Sequence, residues 1–163
     1  MNIQAVDIRE VSEAPRLWQE IVDASKDGWI WHTWLFHEFN LCAGEKYAAH
    51  DLSFFIYENE KAVGVVPLII QEKTMGNFKG REAAYYSGSL PWPCFHTGLE
   101  PEQRTALETF AFTELDRRAR QAGAGRISVL MMSSTDQSDE RERMVRVTGD
   151  HNYLFLPSNA QAV

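Results

Sequence analysis

The groups in this sequence able to do chemistry are His32, His37, His50, His96 and His151, the cysteines Cys42 and Cys94, and the segment Ser87-Gly88-Ser89-Leu90-Pro91-Trp92-Pro93-Cys94-Phe95-His96-Thr97-Gly98. A metal site needs several such groups at ligand spacing. His32 and His37 are five apart and diverge on a helix, where ligand pairs sit three or four apart. Cys94 and His96 share one side of an extended segment, but nothing nearby completes a zinc site, and the two cysteines form no CxxC pair. Both cysteines read as small hydrophobes, and no metal is expected. Ser87-Gly88-Ser89 is not the GxSxG elbow, and Cys94 near His96 is sequence proximity without an oxyanion hole, so hydrolase chemistry is not expected either. Glu58 with Glu60, and Glu140 with Glu142, read as solvated faces. His96 remains as a candidate proton acceptor from an amine, against the packing role that a loop histidine more often has.

In the same segment Pro91 and Pro93 hold the backbone extended around Trp92, which makes a stiff aromatic wall on a loop, where function concentrates. A second rich stretch is Trp29-Ile30-Trp31-His32-Thr33-Trp34-Leu35-Phe36-His37-Glu38-Phe39. At helical spacing its aromatics read first as packing, and alternatively as a groove lined by indoles. Gly76-Asn77-Phe78-Lys79-Gly80-Arg81 has the glycines and cations of an anion cradle, yet no helix follows it, so it reads as an exposed hairpin turn.

These residues must be positioned by the elements around them. The central element is a hairpin over 52–57 and 62–70, two β-branched and aromatic runs around the polar loop Glu58-Asn59-Glu60-Lys61. Neither run alternates cleanly, which predicts a sheet covered on both faces. Pro67 cannot donate to a ladder, so it predicts an edge, a bulge or a point where neighbouring strands part.

Around the hairpin the pattern predicts a strand over 3–8, a helix from Ser12 to Ala24 with Leu17, Trp18, Ile21 and Val22 on one face, and a helix capped by Thr33 that buries Phe36, Phe39 and Leu41 and ends at Ala43-Gly44. A strand over 82–87 follows. Pro101 opens a helix to Ala122 that buries Leu107, Phe110, Ala111, Leu115, Ala119 and Ala122, with Arg117, Arg118 and Arg120 toward water. A strand over 126–132, in parallel crossover, comes next. A charged surface helix over 133–146 and a last strand over 152–156 complete the expectation.

The 163 residues, 44% of them hydrophobic, allow one full core. The longest apolar run, 62–70, contains Gly64 and Pro67 and is far short of the roughly 20 residues of a membrane helix. The first residues lack the pattern of a secretory signal, so a cytoplasmic protein is expected. Net charge is −7, and both residues 1–98 (8 basic, 13 acidic) and the remainder (8 basic, 10 acidic) are negative, which argues against nucleic acid as a partner.

The order of elements, with Trp31-His32-Thr33 before the second helix, Val63-Gly64-Val65-Val66-Pro67-Leu68 in the hairpin, Ser89-Leu90-Pro91 and its continuation, and Ala122-Gly123-Ala124-Gly125 leading into a strand, resembles the N-terminal half of the FemAB-like proteins. These belong to the GNAT-related acyl and aminoacyl transferases. The resemblance implies an α/β (α+β) fold, a GNAT-like mixed sheet with a central antiparallel hairpin flanked by helices, in a single domain over 1–163 that is one half of a two-half transferase. It implies that this half contributes acceptor binding, while the acyl-CoA or aminoacyl donor belongs mainly to a second half. Tyr85, Tyr86, Trp92 and His96 are then the wall of an acceptor site, with Trp34 and Asn40 behind them.

The sequence departs from the family in two places. The glycine-rich pyrophosphate motif of single-domain relatives, Q/R-x-x-G-x-G/A, is missing, so no cofactor is assigned to this chain alone. Asn40 stands where the peptidoglycan-bridge enzymes tend to carry a lysine. The expected partners are a small-molecule or amine acceptor and a second half or another copy of the chain. Two further readings stay open: a non-catalytic ligand-binding or interaction module that kept the fold, and a small stand-alone CoA-dependent N-acetyltransferase.

Overall fold

A computed structural model of the chain describes residues 2–130. The expected helix over 133–146, the strand over 152–156, the end of the strand over 126–132, His151, Glu140 and Glu142 lie outside the described residues. The elements, in order, are β1 (Ile3–Asp7), α1 (Ala14–Asp23), α2 (Trp34–Gly44), β2 (His50–Asp51), β3 (Phe54–Glu58), β4 (Lys61–Val66), β5 (Ile69–Met75), β6 (Phe78–Ala83), β7 (Leu90–Pro91), β8 (Cys94–Phe95), α3 (Pro101–Gln121), β9 (Ala124–Ile127) and β10 (Val129–Leu130). This is a mixed α and β architecture. Among the described residues no helix is long and apolar enough to cross a membrane.

The hairpin is longer than its apolar runs. β3 and β4 turn through Asn59 and Glu60, both at positive φ (48° and 70°), the backbone that matches the twist of a two-residue loop. The pairs His50↔Ile70 and Asp51↔Ile69 lie on the same register as Phe54↔Val66. β2 and β3 therefore keep one register against β4 and β5 across Pro67, and the register shifts only further along, between Ile56 and Tyr57. The far neighbours of β4 and β5 do part at Pro67: β8 pairs with Gly64 and Val65, whereas β6 pairs from Ile70 onward.

Two side chains absorb the interruption. Leu52 N–H still reaches Leu68 O at 2.8 Å, but Leu68 N–H is taken by Ser53 Oγ at 2.8 Å. Leu52 O instead accepts from Arg118 Nη1 at 3.3 Å. Arg118 is thus not the water-facing residue that helical spacing predicts. Its side chain is 14% exposed and ion-paired to Glu114 at 2.7 Å, and its guanidinium lies 4.5 Å from the centroid of the Phe54 ring. The orphaned carbonyl and the aromatic face give it a reason to turn inward.

Both faces of the hairpin are covered, as the lack of alternation requires. Phe54, Ile56 and Val66 join the core built with Leu107, Ala111, Leu115 and Ala119 of α3. Phe55, Val65 and Cys94 pack with Trp18, Ile21 and Val22 of α1. β9 runs parallel to β6, and α3 makes the crossover.

Several boundaries differ from expectation. α1 begins at Ala14, with Pro15 in its first turn and no side-chain cap, so Ser12 does not cap it. The third long strand, β6, occupies Phe78–Ala83 rather than 82–87, because Gly76 at φ +58° and Asn77 suffice to turn the chain. Lys79, Gly80 and Arg81 are therefore ladder residues and cannot form a cradle.

Two expectations follow for stability. Ser53→Ala would leave the buried Leu68 N–H without an acceptor, and chemical denaturation should show a loss of about 1–3 kcal/mol. A Cβ on Gly64 would sit 2.6 Å from Phe95 Cδ1, so Gly64→Ala should lower stability by about 1–3 kcal/mol through overpacking and loosen β8, visible as faster amide exchange at His96, whose N–H bonds Val63 O.

Candidate functional site

The segment over 84–98 fills the gap that opens where β6 and β8 part, and its polar backbone is tied down on every side. Leu90 N–H bonds Ser128 O at 2.8 Å and begins the parallel β7–β10 ladder. Ser89 Oγ and Ser128 Oγ are 2.8 Å apart. At the far end His96 N–H bonds Val63 O, and Thr97 N–H bonds Ala24 O. Loop residues so anchored are preorganised.

α2 supplies the interior anchors; of its expected inward residues Phe36 and Leu41 pack against the core, whereas Phe39 does not. Thr33 caps it, with Oγ1 accepting from Phe36 N–H at 3.3 Å. The fully buried residues, however, are His37, Asn40 and Gly44, while Leu35 and Phe39 are exposed, Phe39 by 52%. The reason is that the polar pair finds partners inside. Asn40 Oδ1 accepts from both Ser87 N–H (3.0 Å) and Ser87 Oγ–H (2.9 Å), and its amide donates to Phe36 O.

His37 Nε2 donates to Asp51 Oδ2 at 2.9 Å, since a carboxylate only accepts, which leaves Nδ1 to accept from the Tyr85 hydroxyl at 3.1 Å. Burial pulls the Asp51 carboxyl upward, but hydrogen bonds from His37 and Ser53 outweigh it and hold the group below the usual range. Burial, with Asp51 nearby, pushes the Tyr85 phenol well above its ordinary value.

A second buried histidine fixes the aromatic wall. Trp29 N–H donates to His32 Nδ1 at 3.1 Å, so the ring proton sits on Nε2 and is donated to Trp92 O at 3.0 Å. Trp18 Nε1 in turn donates to His32 O at 2.6 Å. Trp92 itself is half-buried and rests on Phe112 of α3, with ring centroids 4.4 Å apart.

The six residues singled out from the sequence are not gathered into one pocket. Tyr85 and Asn40 are fully buried and hold the loop from behind. Trp34 lies edge-on to Trp18. Tyr86 stacks on Tyr47 at 5.8 Å, with the Lys46 ammonium over both rings. His96 lies in the wall of a polar cleft of about 380 Å³ beside Glu58, Lys61 and Gln103. A second cleft, of about 460 Å³, contains none of them. Cys94 is fully buried, and burial pushes its thiol up to about 11, so it does not supply a thiolate to His96. Among the described residues no three His, Cys, Asp or Glu side chains gather where they could hold a metal ion.

The Asp51–His37–Tyr85 chain and the His32 anchor were missed from the sequence. A hint exists for α2: His37 and Asn40 are three apart, one face of a helix otherwise rich in apolar residues. Nothing local connects either to Tyr85, Ser87 or Asp51.

Compared with known proteins, no family model, no curated protein and no solved structure matches the chain.

The His32 anchor yields a pH dependence. Burial lowers the His32 pKa against the hydrogen bonds to Trp92 and Trp29. The unfolded chain therefore binds a proton that the folded chain refuses. The stabilisation is fully present above the unfolded value of about 6.5 and is lost as pH falls from there toward the depressed folded value. Urea denaturation over that window should show falling stability, with a smaller slope in His32→Gln.

Proposed function

We propose that this chain is a GNAT-like half of a FemAB-like acyl or aminoacyl transferase and that it contributes acceptor binding. The observation that carries the reading is the strand order. The hairpin is shared by two four-stranded sheets, ordered β1-β3-β4-β8 and β2-β5-β6-β9, antiparallel throughout except for the pair β6-β9, which is parallel and joined by α3. The parting of strands at Pro67 and the loop of 84–98 set into it fit the same reading. Transfer of an acyl group to an amine depends largely on positioning, so a rigid aromatic wall is a useful contribution without a general base. Trp92, held by His32 and Phe112, supplies that wall, and His96 at the end of the loop is the group placed to take a proton from an amine. The donor, an acyl-CoA or an aminoacyl ester, is assigned to a second GNAT-like half.

A non-catalytic interaction module is the second reading, and the exposed side chains of Trp29, Ile30, Leu35 and Phe39 favour it. Calorimetry separates the readings from a stand-alone acetyltransferase: this chain alone should show no saturable binding of acetyl-CoA, and saturation in the micromolar range would overturn both. In the intact transferase, Trp92→Ala and His96→Ala should each weaken acceptor binding by about tenfold, the scale of one lost packing or hydrogen-bonding contact. Unchanged acceptor affinity in both would leave the interaction module as the better reading.

A further inference from the structure

Among the described residues, the outer edge of β2 is open. Ile8 N–H still bonds Ser53 O, but the 3-10 turn at Ile8–Glu10 then carries the chain away, and His50 and Asp51 pair only with β5. The cleft of about 460 Å³ lies at this edge. Leu41, Ala49 and Leu52, all partly exposed, form apolar wall, and Arg9, His50 and Arg81 bring cationic or donor groups from three separate parts of the chain.

The charges around the cleft are unequally compensated. Arg9 is held by Asp7 through two bonds, at 2.8 and 2.6 Å. Asp51, the acidic residue of the lining, is engaged from inside: Oδ1 accepts from Ser53 N–H and Oδ2 from His37. Arg81 is different. Its Nη1 donates to a neutral acceptor, Ala122 O, at 2.9 Å. Glu72 stands opposite it in the ladder, yet among the described residues no ion pair engages Arg81. In a chain of net charge −7, a guanidinium left without a carboxylate beside an apolar wall is a local exception, and such a fork matches carboxylate and phosphate geometry.

We propose that this cleft binds a small organic anion, a carboxylate or a phosphate monoester with a short aliphatic tail. The anion sits on Arg81 with His50 beside it, and the tail lies on Leu41, Ala49 and Leu52. This site is separate from the aromatic wall and does not depend on the transferase reading.

The test titrates the full chain with sodium hexanoate and with hexyl phosphate, following the His50 ring resonances by NMR, with hexanol and inorganic phosphate as controls. At least one of the two anions should give a saturable shift, and which of them binds more tightly distinguishes the carboxylate from the phosphate source. Arg81→Gln should weaken that binding by about tenfold or more, the scale of a lost charge-assisted contact, and Arg81→Lys should recover part of it. Ala49→Leu, which fills the cleft without touching a charge, should abolish binding while the thermal midpoint holds. If Arg81→Gln does not fold, Ala49→Leu decides. The proposal fails if neither anion saturates, if hexanol shifts His50 equally, if inorganic phosphate binds as tightly as the tailed anions, or if folded Arg81→Gln and Ala49→Leu bind as the parent does.

Discussion

The structure depends on how the hairpin tolerates Pro67. A proline in the middle of a covered sheet removes one ladder donor and forces the neighbouring groups to find other partners. Here the partners are a buried serine, Ser53, and a largely buried arginine, Arg118. Because Ser53 catches the Leu68 N–H in register, β4 and β5 remain one continuous run and the interruption does not become a bulge. Because Arg118 reaches the freed Leu52 carbonyl, α3 is pinned to the hairpin at the point where the sheet is weakest. The same guanidinium contacts the Phe54 ring and the carboxylates of Glu114 and Asp7. A single side chain thus joins the helix, the hairpin and the first strand.

The parting of β6 and β8 follows from that break, and the chemistry of the loop follows from the parting. A gap between strands exposes backbone donors and acceptors that must be satisfied. The segment of 84–98 meets this need with short ladders, with Ser87 on Asn40, and with Trp92 O on His32. Asn40, expected behind the wall, and His32 and His37, given no role there, thereby become structural anchors for the loop. Tyr85 shows the trade most clearly: a residue chosen as a surface contact is fully buried, and its hydroxyl is used by His37. What remains at the surface is Trp92 in part, His96 and the stacked Tyr47–Tyr86 pair.

Much of the fold was legible from residues alone. The uninterrupted apolar runs on both sides of Asn59 predicted a doubly covered hairpin, and of the edge, bulge or parting of strands that Pro67 predicted, the parting is found. Pro101 and the stripe of Leu107, Ala111, Leu115 and Ala119 predicted α3. Less was legible where polar residues decide the outcome. Hydrophobic spacing placed Phe36 and Leu41 of α2 on the core side, where they pack, but it also assigned Phe39 there and gave no sign that His37 and Asn40 are the fully buried residues. It also assigned Arg118 to water. Gly76-Asn77 was read as part of a six-residue loop, although two residues are enough to turn a twisted ladder.

By itself, the sequence determined the three helices, the Thr33 cap, the hairpin and the location of the break, because these depend on local backbone preferences and on the period of apolar residues. The tertiary structure decided which polar groups are partners. His32 and Trp92, His37 with Tyr85 and Asp51, Asn40 and Ser87, and Arg118 with Leu52 are all remote in sequence. A buried polar side chain is stable only when its hydrogen bonds are met, and that condition can be judged only once the chain has folded back and brought the two ends of each bond together.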